Sequence, residues 1–246
     1  MSSETGVASE GIGPHADEPH EEGIGGRLNA LRAAVLGAND GIVSVAGIVM
    51  GVAGATSHAD TIFVAGVAGL VAGALSMAAG EYVSVSTQRD TERALLDKER
   101  RELAEEPEEE LAELADIYRE KGLSEEIALE VAVQLTAHDA LGAHAEAELG
   151  IDPDDLTNPW QAAFASMAAF TLGALLPLLT ITVVSTGARI AVTVVAVTLA
   201  LALTGWLSAS SGDAPRRPAI LRNVVGGLLA MGVTYLIGSL VGLGVG

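Results

Sequence analysis

The run AAVLGANDGIVSVAGIVMGVAGATS, residues Ala33 to Ser57, decides the reading of this chain. It has 25 residues, almost all apolar, and a single charge, Asp40. At 1.5 Å rise per residue such a helix is about 37 Å long, enough to span a bilayer with some tilt. A carboxylate at that depth costs roughly 2.5–3.5 kcal/mol on insertion scales. Intramembrane acids face a bundle interior, a partner or an ion path.

Working outward, four more apolar runs follow. Span 2 covers about Thr61–Val85, after the short polar turn Thr56 to Asp60. Spans 3 and 4 cover about Gln161–Val184 and Ile190–Leu207, with Ser185 to Arg189 between them. A polar loop, Ser208 to Pro218, leads to span 5, from about Ala219 to the C-terminus. Pro177 lies inside span 3 and is expected to bend it or to free the carbonyl of Gly173. The expected fold is an all-α membrane protein with five transmembrane helices. Small residues recur four apart (Gly37/Gly41, Gly47/Gly51, Gly69/Gly73, Gly238/Gly242, Gly242/Gly246), a spacing that lets membrane helices approach closely. It predicts a tightly packed bundle and an oligomer.

Charge is unevenly distributed. Of 32 acidic residues, 22 lie between Asp90 and Asp155 and six in the first 26 residues, so the net charge of −19 belongs to an insert and a tail. A nucleic-acid partner is disfavoured, because phosphate binding needs a basic face. Multivalent cations are the natural partners of concentrated carboxylates, although a solvated acidic coat fits the composition too. Cysteine is absent, which excludes disulfides and thiolate sites. The tail, residues 1–26, is Gly-, Ser-, Glu- and His-rich without apolar periodicity and is expected to be disordered. It has no signal-peptide pattern. His15 and His20 read as chance histidines of that tail.

Residues 27–86 hold spans 1 and 2, residues 87–159 the acidic insert, and residues 160–246 spans 3–5. The helix of span 2 meets no breaker and is expected to continue towards Glu106. Pro107 suits the first turn of a second helix, stopped by Gly122. Ser124 suits the cap of a third, ending near Gly150. Apolar stripes at Leu111, Leu114 and Ile117, and at Ile127, Val131 and Leu135, predict a three-helix acidic domain. Arg27, Arg32, Arg89, Arg93, Lys98, Arg216, Arg217 and Arg222 fall on one side of a five-span layout, and only Arg189 on the other. The positive-inside rule then places the N-terminus and the acidic domain in the cytosol.

Candidate ligands fall into two groups. Asp40 is eight residues in from Arg32, and Glu81 eight before Arg89, so both are expected about 12 Å deep at the same level. Met77 lies one turn deeper on the face of Glu81. Two carboxylates and a thioether suit Fe²⁺, and the carboxylates suit Mn²⁺. A carboxyl that holds either a proton or a metal ion is the minimum equipment for proton-coupled metal transport. In the insert, Glu99, Glu102 and Glu106 share one helix face, Glu110 and Glu113 repeat the i, i+3 spacing, and His144 and Glu148 are an i, i+4 pair. Glu146 and His138 are close by in sequence.

The residues 32–44, RAAVLGANDGIVS, resemble the first-helix signature of the vacuolar iron transporter family. The residues 74–85, ALSMAAGEYVSV, resemble its second-helix signature. Glu148-Leu149-Gly150 and Gly173-Ala174-Leu175-Leu176-Pro177 also fit, and the likeness in layout runs from about Leu28 to the end. The resemblance implies a dimer with the ion path between protomers, exchanging Fe²⁺, and often Mn²⁺, for protons. It implies a path through Asp40 and Met77, and a cytosolic domain that binds metal through Glu99, Glu102, Glu110, Glu113 and Glu148. The family pattern has a methionine one turn before that last glutamate; His144 stands there, and imidazole can replace thioether as a ligand.

Three functions compete at this stage. One is a proton-coupled exporter of ferrous iron or manganese, with no prosthetic group and no enzymatic activity, in the plasma membrane of a bacterium or the vacuolar membrane of a eukaryote. The second is a membrane-bound ferroxidase or iron store; di-iron bundles use Glu-x-x-His pairs, and none occurs in the chain. The third is a metal-binding scaffold that does not transport.

Overall fold

A computed structural model describes residues 24–211 and 214–245. The described residues form seven α-helices and one π-helical turn, without strands. They are α1 (Ile24–Ala55), α2 (Ala59–Glu105), α3 (Pro107–Glu120), α4 (Glu125–His144), the π turn (Ala145–Leu149), α5 (Pro159–Val183), α6 (Arg189–Ser211) and α7 (Arg216–Val245). Five of these, α1, α2, α5, α6 and α7, are long and apolar enough to cross a membrane. The chain is an all-helical, multi-pass membrane protein. Most of the expected tail, Met1–Gly23, lies outside the described residues. Its last three residues, expected in that tail, instead begin α1.

The first span is the axis of the bundle. Its apolar stretch is 44% buried, against 11% for α7. It packs chiefly on α5 and α7, and α5 also lies along α2. Val45, Ala46 and Val49 of α1 meet Ile62, Phe170, Ala174, Ile181, Val197, Leu201 and Met231 in one apolar core. Hydroxyls inside the spans bond back to helix carbonyls, as Thr171 Oγ1 does to Met167 O (2.8 Å) and Thr198 Oγ1 to Val194 O (2.7 Å), which satisfies them where water is excluded.

The glycine spacing is used within one chain. A side chain on Gly41 would collide with the carbonyl of Phe170, and one on Gly238 with the carbonyl of Gly51. Gly37 meets Ser166, Gly69 meets Ile48, and Gly73 meets the Phe170 ring. The described pairs seat α1, α2, α5 and α7 on each other within one chain, the close packing that the spacing predicts.

The polar loop expected over Ser208 to Pro218 is shorter, because α6 continues to Ser211 and α7 starts at Arg216. At the opposite end of the bundle Arg189 is buried. Its Nη1 donates to Ser57 O (3.3 Å) and its Nη2 to Thr186 Oγ1 (2.5 Å). The isolated cation of that side is thus a clamp between two turns, which is why it stands against the charge bias.

The second helix is a single rod of 47 residues. At 1.5 Å per residue it is about 70 Å long, roughly twice the hydrocarbon thickness of a bilayer. Its last turns stand clear of the spans and pack with α3, α4 and the π turn. Pro107 occupies the first turn of α3, Gly122 (φ +105°) follows its end, and Ser124 Oγ caps Ile127 N of α4. Leu96, Leu114, Ala128, Ala132 and Ala145 form the core of this small bundle. The stripe expected on α4 is shifted: Ile127 is 53% exposed, and the ridge that faces inward is Ala128 and Ala132. A ridge of small residues lets α4 lie close to its neighbours. The return to α5 is tied down by Thr157, whose N and Oγ1 both donate to Glu92 Oε2 (3.2 and 3.1 Å). Asn158 Oδ1 then caps α5 by accepting from Trp160 N and Gln161 N.

Candidate metal centre

The rod of α2 carries Glu99 inward, α3 supplies Glu110, and the junction of α4 with the π turn supplies His144 and Glu148. Glu99, Glu110 and His144 are all buried. His144 Nδ1 is 3.1 Å from Glu99 Oε1 and 3.5 Å from Glu110 Oε2. Neither ring nitrogen of His144 has a hydrogen-bond partner, nor does Glu99 Oε1. Buried polar atoms left unpaired are costly, and several converging on one point mark a place for a cation. Glu99, His144 and Glu148 each offer a ligand atom, and these lie within 4.8 Å of one another. Ligands sit about 2.0–2.2 Å from a first-row ion, so neighbouring donor atoms lie about 3–4 Å apart. A small contraction brings the three together.

The electrostatics favour the same use. Burial pushes the Glu99 carboxyl up to about 7, and the negative charges of Glu148, Glu110 and Glu102 add to this. A hydrogen bond with Glu110 adds the smallest part of that rise. Burial also raises Glu110 and Glu148, each helped by Glu113. It lowers His144, so the imidazole is held neutral with a lone pair to give. A divalent ion would replace the proton on Glu99 and relieve the repulsion among four carboxylates.

The other expected ligands are placed at the rim or away. Glu102 is half-buried and paired with Lys98 Nζ at 2.6 Å. Glu113 is exposed but acts on Glu110, His144 and Glu148 through its charge. Glu106 is exposed at the junction of α2 and α3, where its backbone caps both helices. It is not brought into the cluster. His138 and Glu146 are exposed as well.

In the bundle, Asp40 is half-buried and its Oδ1 accepts from Ser44 Oγ at 2.9 Å. A Cβ on Gly69 would touch Ile48, and one on Gly66 would touch Val49. Carried along the antiparallel pair, these contacts put Asp40 level with Leu75 to Met77, not with Glu81. The expected level is corrected by at least one turn: the two helices are offset relative to the count from their flanking arginines. Met77 packs on the apolar core, and Glu81 lies half-buried one turn nearer the acidic bundle. Asn39 and Ser166 escaped the sequence reading; Asn39 Oδ1 and Ser166 Oγ are buried without partners. A polar pair Asn39-Asp40 in an apolar run was the available signal.

Comparison with known proteins bears on this arrangement. The sequence profile of the VIT family matches residues 31–239. The chain is 42% identical over 238 residues to a protein of Acanthamoeba castellanii named vacuolar iron transporter, covering 94% of this chain and 85% of that protein. It is 40% identical over 217 residues to vacuolar iron transporter homolog 3 of Arabidopsis thaliana, covering 88% and 85%. It is 36% identical over 217 residues to VIT-like transporter 1b of Glycine max, covering 88% and 78%.

Proposed function

Because the chain belongs to the VIT family, we propose that it exports a divalent transition metal, ferrous iron or manganese, from the cytosol in exchange for protons. The metal is the cargo. The acidic bundle faces the cytosol, as the Lys/Arg asymmetry around the spans argues. It collects the ion on Glu99, His144 and Glu148, with Glu110 as a further ligand and Glu102, Glu106 and Glu113 as an attractive rim. The ion then passes to Glu81, Met77 and Asp40, which take it through the bilayer as protons move the other way. The working unit is a homodimer, in the plasma membrane of a bacterium or the vacuolar membrane of a eukaryote.

One observation carries the reading: unpaired atoms of Glu99 and of His144, from α4, meet 3.1 Å apart beside the far end of α2, the helix that also bears Glu81 and Met77. A carboxylate and thioether set accepts Fe²⁺, and an imidazole added at the entrance extends the acceptable ions towards other borderline metals. In proteoliposomes with a pH gradient, Asp40→Ala is expected to abolish Fe²⁺ and Mn²⁺ flux in a protein that still elutes and melts as the unchanged chain does. Glu99→Ala is expected to reduce flux mainly at low metal concentration. Full transport by Asp40→Ala would overturn the mechanism.

A further inference from the structure

We infer that Asp139 is a positioning residue of the metal centre: by capping a break in α4 it turns His144 into the pocket of Glu99 and Glu110. The inference rests on the reading of that cluster as a metal site. In an unbroken α-helix each residue advances about 100°, so His144 would lie about 120° round from the inward-facing Ala132, away from the core. The structure nevertheless buries His144 completely. The reason lies between the two residues. Asp139 leaves helical geometry, with φ −156° and ψ 94°. That one extended residue resets the phase of everything after it.

The break is stabilised locally. Asp139 Oδ1 accepts from Gly142 N at 3.1 Å, the bond an N-cap makes to the third residue of the helix it starts. Gly142 fits this role because a Cβ there would collide with Asp139 Oδ2. The new segment runs through His144 into the π turn, which ends at Gly150 (φ +64°). A π turn carries its side chains round differently from an α-helix and is frequent at functional sites. Asp139 itself is exposed and does not belong to the ligand cluster.

The test uses the full chain in detergent, titrated with Co²⁺ alone and followed by its visible absorption. The signal of this centre is the part lost in His144→Ala. Asp139→Ala is expected to weaken it about 10- to 100-fold, the usual loss when a group that orients a ligand is removed. Asp139→Asn, which removes the same charge but caps as well as Asp, is expected to bind nearly as the unchanged chain does. Gly142→Ala supplies an independent arm. Alanine favours a helix over glycine, so a loss of Co²⁺ affinity with helicity retained points to the displaced carboxylate. Unchanged affinity in both Asp139→Ala and Gly142→Ala overturns the inference, as does an equal loss in Asp139→Asn and Asp139→Ala. An undiminished signal in His144→Ala overturns instead the reading of the cluster on which the inference rests.

Discussion

The carbonyl of Phe170 occupies the place where a side chain on Gly41 would begin. Backbone meets backbone there, one residue from Asp40, so no rotamer change can make room. Gly41→Ala is expected to destabilise the protein by about 1–3 kcal/mol through overpacking. Gly80→Ala, in a position with open space around it, is expected to be neutral or to stabilise by up to about 1 kcal/mol. Thermal unfolding in detergent checks both, and equal effects would contradict the packing of α1 on α5.

Glu99 makes the acidic bundle respond to pH. Its carboxyl is raised from an ordinary 4.5 to about 7. A group raised in the folded state stabilises fully below its unfolded value, and that contribution is lost as pH rises through the folded one. Without metal, the stability advantage of the unchanged chain over Glu99→Gln is therefore expected to shrink between about pH 4.5 and 7. Burial lowers His144 from 6.5, with the opposite sign: its contribution is present above 6.5 and lost as pH falls. In Glu99→Gln that second trend remains, together with those of Glu110 and Glu148, whose carboxyls are also raised. Chemical unfolding across this pH range measures it, and a divalent ion, which needs the carboxylate, should bind more tightly as pH rises towards 7.

The two faces of the acidic bundle differ in what truncation costs. Leu114 is fully buried, and Leu114→Ala is expected to lose about 2–5 kcal/mol. Ile127 is half-exposed, and Ile127→Ala should change stability by no more than about 0.5 kcal/mol. Limited proteolysis near Lys121 reports the difference. The reverse order would restore the stripe first expected on α4.

Arg189 holds the turn after α1 to the turn before α6. Arg189→Ala leaves Ser57 O and Thr186 Oγ1 without this donor and is expected to cost about 1–3 kcal/mol. Arg189→Lys should recover only part, because an ammonium cannot reproduce the two-armed guanidinium. The melting temperatures of the two variants in detergent give the comparison.

Periodicity and punctuation made the spans and the acidic helices legible. Length and apolarity define α1, Pro107 and Gly122 bound α3, and Ser124 starts α4. Asp40, Glu81 and Glu99 stand out because charge is rare in apolar runs and repeats at helical spacing in the insert. Besides Asn39 and Ser166, three features escaped. The level of Asp40 depends on which residues of α1 and α2 touch, and counting from flanking arginines assumes that both helices enter together. The inward ridge of α4 is alanine, which hydrophobic periodicity undervalues beside Ile127 and Val131. The break at Asp139 gives no signal in spacing, since Asp-Ala-Leu-Gly inside a long helical pattern reads as exposed helix. Its effect on His144 exists only in three dimensions.

The unbroken course of α2 has a mechanical consequence. Glu81 and Glu99 are 18 residues apart on one rod, about 27 Å along its axis. Such a rod is a lever with its fulcrum in the bilayer. A tilt of about 10° within the spans would sweep Glu99 sideways by about 5 Å, more than the separation between ligands around one ion. Whatever tilts α2 at Glu81 therefore shifts Glu99, and with it the spacing of the cluster that Glu99 shares with His144 and Glu148.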